Sequence, residues 1–147
     1  MTDYYALPYF ELQKAIYQKL TASEALISIT RKGDEDLGVY DAVDENTPYP
    51  YVTISEPYSS PNDTKTSNIE KITFTIHAWW KDKDDYSGKR KVYEMLSACQ
   101  RALMTRNYVI PNASVLSVER RESRVIDDNS PGVKHGILTM QYIIQNI

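Results

Sequence analysis

The sequence is poor in the residues on which most protein chemistry depends. It has one cysteine, two histidines and five glycines in 147 residues. A single cysteine, Cys99, excludes an intrachain disulfide and fits a reducing compartment. The two histidines, His77 and His135, stand far apart, with no HExxH or CxxC pattern, so no metal-ligand set is legible. The glycines form no phosphate-cradling loop of GxGxxG or GxxxxGK[ST] type. No apolar run approaches the roughly 18 residues that span a membrane. The opening residues, MTDYYALPYF, lack a basic start and an apolar stretch, so no signal peptide is expected. A basic surplus is missing too: 17 Lys and Arg face 20 Asp and Glu, a formal charge of −3, against the usual balance of a freestanding nucleic-acid binder.

What is present is ordinary globular material. At 41% hydrophobic and 25% charged, the chain can bury a core without disulfides or metals, and its length suits one domain over 1–147. The one compositional excess is tyrosine, 12 against 2 phenylalanines. Tyrosine joins a large apolar ring to a polar tip and suits half-wetted contact surfaces, although strand-rich composition is the simpler account of the excess.

Periodicity divides the chain. Residues 8–20 carry Leu12, Ala15, Ile16, Lys19 and Leu20 at helical spacing, with Pro8 in the first turn. Ser23 caps a second short helix from Glu24 to Ile29, completing an N-terminal helical segment over 8–30. The sheet and the long helix then occupy 37–145. Leu37 to Val43 and Tyr49 to Glu56 read as strands, the second kept from a central position by Pro48 and Pro50. Residues 57–68 read as a mobile polar loop. Ile69 to Trp80 alternates most clearly: Ile72, Phe74, Ile76, Ala78 and Trp80 on a core face, Lys71, Thr73, Thr75, His77 and Trp79 on the other. A helix from about Asp85 to Thr105 follows, with Val92, Leu96, Cys99 and Leu103 as its stripe. Strands from Ser114 to Ile126 and His135 to Ile144 flank a turn at 127–132. The order contains no repeating βαβ unit. It predicts an α+β fold, a mostly antiparallel sheet with helices on one face.

Nothing in this pattern assembles a catalytic centre. Cys99 lies on the apolar stripe, where a cysteine is a small hydrophobe. The acidic pairs Asp84/Asp85 and Asp127/Asp128 fall in turns, which aspartate favours for its bonds to nearby backbone N–H groups. Lys89, Arg90 and Lys91 begin the long helix, where cations oppose its dipole; they form either a solvated patch or a docking patch for an acidic partner. Glu119-Arg120-Arg121-Glu122-Ser123-Arg124 alternates charge along a strand, which either protects an edge from promiscuous pairing or makes ion pairs with a neighbour.

Several pieces taken in order carry a likeness: Leu37-Gly38-Val39-Tyr40, then Tyr49-Pro50-Tyr51-Val52-Thr53-Ile54, then Ile72 to Trp79 with a long helix directly behind it, and the closing His135-Gly136-Ile137-Leu138. This layout, spread over nearly the whole chain, resembles the tail-completion, or tail-to-head joining, family of tailed bacteriophages and prophages. The charged KDKDD link at 81–85 and the basic helix start depart from it. The resemblance implies an antiparallel sheet backed by helices and a sixfold ring of identical copies on the head-proximal end of the tail tube. It implies no catalytic residues, no cofactor and no metal. The partners it implies are the major tail tube protein and the head connector or stopper, with DNA passing through the lumen without specific binding. The location would be the head–tail junction of the virion, assembled in the bacterial cytoplasm, with no membrane involved. Expected subunit or tube contacts are Tyr58, Asp63, Lys65, Trp79, Lys89, Arg90, Arg120, Glu122 and Arg124. The alternatives are another neck component, such as a head-completion stopper, and a non-phage adaptor that binds a peptide along a sheet edge.

Overall fold

In the computed structural model, residues 7–83, 88–105 and 107–147 are described. Helices α1 (Tyr9–Thr21) and α2 (Glu24–Thr30) come first. Pro8 takes the N-cap position of α1, and its carbonyl accepts the first helical bond from Leu12 N–H at 2.9 Å. Ser23 caps α2 as its residue type predicts, its hydroxyl accepting from Leu26 N–H at 3.3 Å. Lys19 finds a definite partner. Its ammonium donates to the Asn107 carbonyl at 2.8 Å and lies 4.5 Å from the centre of the Tyr108 ring.

The sheet has six strands: β1 (Val39–Tyr40), β2 (Tyr51–Ile54), β3 (Tyr58–Pro61), β4 (Ile69–Lys81), β5 (Ala113–Asp127) and β6 (Val133–Asn146). Their order is β1-β2-β4-β6-β5, with β3 also on β4. All pairings are antiparallel except β1 with β2. The α+β expectation therefore holds, with one parallel pair at the edge.

β4 shows why the alternation was readable. Its residues are buried and half-buried in strict turn, and Ile72, Phe74, Ile76, Ala78 and Trp80 join Leu138, Met140, Tyr142 and Ile144 of β6 under the helices. Helix α3 (Arg90–Leu103) supplies Val92, Met95, Leu96, Cys99 and Leu103 to that core. Burial pushes the Cys99 thiol up to about 12, so it stays protonated and inert. The expected start of α3, at Asp85, falls among residues 84–87, outside the described ones, as does the Asp84/Asp85 pair.

Three expectations need correction. The segment 57–68 is not all loop: Tyr58–Pro61 forms β3, which continues the edge of β4 where β2 leaves off. The buried Glu70 anchors it, accepting a hydrogen bond from the Ser59 hydroxyl at 2.7 Å. Pro61 is tolerated because β3 has a free outer side. The remaining turn is closed by its own bonds, with Asp63 accepting from Ile69 N–H at 2.9 Å and from the Asn68 amide at 3.1 Å. Second, β2 is not an edge strand. It lies between β1 and β4, because Pro48 and Pro50 both precede it and leave the N–H groups of 51–54 free to pair. Third, the strand at 37–43 shrinks to Val39–Tyr40.

Two glycines explain pieces of the sequence likeness. Gly38 has φ +77°, and a Cβ there would stand 2.3 Å from the Thr30 carbonyl oxygen. Gly136 lies where α3 crosses β6: its Cβ would meet Leu96 at 2.9 Å. Both glycines allow layers to approach more closely than any side chain permits.

Candidate functional site

The grooves formed by the described residues are open rather than enclosed. Among the described residues, no group of three or more His, Cys, Asp or Glu side chains is placed to hold a metal, and no helix is long and apolar enough to cross a membrane. The surfaces that remain are the two edges of the sheet and the face the helices leave open.

The open face carries an aromatic band. Tyr51 and Trp79 are opposite one another across β2 and β4, and Trp79 is opposite His135 across β4 and β6. The Trp79 and His135 rings stack at 3.7 Å with 9° between their planes. His77 Nδ1 and His135 Nε2 are 2.6 Å apart, sharing one hydrogen bond. Tyr51 rests on Tyr49 at 5.2 Å and against Tyr40 at 6.0 Å. Burial pushes the Tyr51 phenol up to about 12.

Two imidazoles this close cannot both be charged. Burial, with His77 as second cause, lowers His135 to about 4, and burial also lowers His77. The unfolded chain therefore binds more protons than the folded one between the ordinary value of 6.5 and about 4. Stability should be complete above about pH 6.5 and fall as the pH drops through this window. Both rings are only partly buried, so solvent screens the effect. Urea midpoints compared at pH 7 and pH 5 should show the fall, and a His135→Gln variant should show a shallower one. Equal slopes in the two proteins would mean that the pair does not couple to folding.

The residues expected at interfaces divide into three groups. Tyr58 is 71% exposed on β3, with Asp63 and Lys65 in the turn beyond it, so this group follows one edge. Asp63 also has the structural task of closing that turn. Trp79 belongs to the open face, half-buried within the band. Arg120, Glu122 and Arg124 are exposed on β5, the opposite edge, where Arg124 pairs with Glu122 at 3.0 Å and Arg120 donates to the Gln100 side chain at 3.1 Å. Lys89 and Arg90 open α3 on that same flank: Arg90 and Tyr93 line one groove, and Tyr93, Arg120 and Arg124 line the next. β5 is an edge strand, which is compatible with the edge-protecting reading of its charges, and bulges at 115–117 and 120–122 disrupt its ladder.

The reading of the sequence missed the grouping of Tyr40, Tyr49, Tyr51, His77 and His135. It also missed Phe10 and Tyr17, exposed on α1 beside β1, where they line a groove of about 400 Å³. The tyrosine excess was the available signal.

Comparison with known proteins adds three findings. The sequence profile of the family described as tail completion protein gp17 matches residues 14–145. A relative, the tail completion protein gp17 of Bacillus phage SPP1, is 27% identical over 135 residues, which is 92% of each chain. Among solved structures, a chain of the virion of a native gene transfer agent (GTA) particle superposes with a TM-score of 0.77. It is 19% identical, and the superposition covers 92% of this chain and 95% of that one. The last likeness concerns the fold.

Proposed function

We propose, from the premise that this chain belongs to the tail completion protein gp17 family, that it acts as a single domain which closes the head-proximal end of a phage tail tube as a sixfold ring and joins it to the head connector. It is a structural component of the phage tail and virion and not an enzyme. The observation that carries the proposal is the family match over nearly the whole chain.

The physical features are compatible with a ring. A cyclic assembly uses one heterologous contact repeated by rotation, so each copy needs two unlike surfaces. The sheet ends in two unlike edges: short β1 with β3 on one side, long charged β5 on the other. The open aromatic face and Tyr58 are suited to the tube and the connector, because tyrosine and tryptophan are enriched at protein interfaces. Six copies at −3 carry −18 in total, which favours DNA sliding through a lumen over adhering to it.

The free chain should be largely monomeric, with the ring forming at high concentration or on the tube. Light scattering over a concentration series tests this. The expected product is about 101 kDa, six times 16.9 kDa. A chain that remains monomeric at all concentrations and also in the presence of tubes would contradict the ring.

A further inference from the structure

The charge on this fold is separated between the two edges of the sheet. Residues 33–46, which lead into and out of β1, hold Asp34, Glu35, Asp36, Asp41, Asp44 and Glu45 and no lysine or arginine. All but Asp36 are exposed. Among the described residues none of the six forms an ion pair. Asp36 is used locally, accepting from the Tyr40 hydroxyl at 2.5 Å, and Asp44 caps its own turn at Asn46 N–H. The others face water.

The opposite flank has the complementary composition. Between α3 and β5 lies a groove of about 420 Å³ whose wall includes Tyr93, Gln100, Arg120 and Arg124, and Arg101 lines the adjoining one. Tyr93 is 53% exposed. The carboxylates of β5 are already occupied: Glu119 pairs with Arg121, Glu122 with Arg124, and Asp127 with Lys134. Glu94 also lines the adjoining groove, where Lys91 pairs with it at 3.6 Å, so among the described residues Arg101 and Arg120 are left beside the Tyr93 ring without an ion-pair partner.

We propose that Asp41, Asp44 and Glu45 beside β1 of one copy dock onto two adjoining grooves of the next, where Tyr93 and Arg120 line the groove between α3 and β5 and Arg101 lines the one between α2 and α3. This names the ring contact and rests on the ring reading above. A second copy is the occupant because every copy carries both halves, on opposite edges of one sheet. That is the arrangement a head-to-tail contact needs in order to repeat and close. Guanidinium groups facing carboxylates also fix register and reject a like-charged edge.

The test uses two full-length variants with opposite changes. In the first, Arg101→Glu and Arg120→Glu make the grooves acidic. In the second, Asp44→Lys and Glu45→Lys make the β1 edge basic. All four positions are exposed, and unchanged melting temperatures would establish that both variants fold. Each variant alone places like charges together and should need about tenfold or more protein to assemble than the unaltered chain. An equimolar mixture should recover the ring, because acidic edges then meet basic grooves and basic edges meet acidic grooves, alternating around an even number of copies. If a variant unfolds, the milder pair Arg101→Gln with Arg120→Gln should still weaken assembly, and added salt should weaken the unaltered ring. A ring that forms equally well from either variant alone, with no gain on mixing, would overturn this contact and leave the ring standing. An unaltered chain that never assembles, with or without tubes, would overturn both.

Discussion

Alanine at position 38 is expected to remove about 2–5 kcal/mol of stability, although it adds a single methyl group. Two costs combine. The backbone at Gly38 has φ +77°, a conformation that residues with a Cβ adopt only with strain. The added carbon would also stand 2.3 Å from the Thr30 carbonyl oxygen and 2.7 Å from Thr30 Cβ. Neither neighbour is free to retreat. Thr30 is buried at the end of α2, its hydroxyl donates to the Leu37 carbonyl at 2.7 Å, and its own carbonyl accepts from the Lys32 ammonium at 2.6 Å. Lys32 is tied in turn to the Pro50 carbonyl, and the Gly38 carbonyl accepts from Val52 N–H at 2.8 Å. A shift at Gly38 therefore disturbs the whole join of α2, β1 and β2. The control is Gly33→Ala, where nothing lies within 4 Å of the added carbon and the change should stay within about 0.5 kcal/mol. Denaturant midpoints that moved equally for the two variants would refute this explanation of the glycine.

Truncation of Phe74 to alanine should cost about 3–5 kcal/mol. The ring is 0% exposed in the middle of β4, opposite Met140 on β6 and inside the cluster beneath the helices. Its removal loses the transfer free energy of the ring and leaves a cavity that a packed sheet cannot collapse around. Against a typical total of about 5–15 kcal/mol, much of the protein would be unfolded at moderate temperature. Thr75, the next residue, lies on the open face, and its alanine variant should cost less than about 1 kcal/mol. Thermal melts of the two variants compare the faces of one strand directly. Similar losses would mean that the face assignment is wrong.

The elements legible in the sequence are those whose periodicity is imposed by their own burial. α1, α3 and β4 each put one face into the core, so apolar spacing alone revealed them. β3 has no such pattern. Tyr58, Ser59, Ser60 and Pro61 are a strand because β4 offers an unpaired edge and Glu70 holds Ser59, and that information resides in the partner. The candidate surfaces were legible in the same partial way. Alternation put His77 and Trp79 on one face, but their contact with His135 depends on the register of β4 and β6. Those strands are separated by α3 and β5, and no tight turn sets their offset. The charges of β5 could be read individually. That they lie on the opposite edge from the acidic residues around β1 follows only from the strand order. The glycines of the family-like segments had been a matter of likeness. Their reasons are the approach of Gly38 to Thr30 and of Gly136 to Leu96.

The central claim is that this chain ends a tail tube. The most direct measurement is electron microscopy of purified tail tubes after addition of the protein, with both tube ends scored. The account predicts a ring of density at one end only, always the same end, and tubes that cease to elongate when tube protein is supplied. Density along the tube wall, at both ends alike, or at neither end while elongation continues would contradict it.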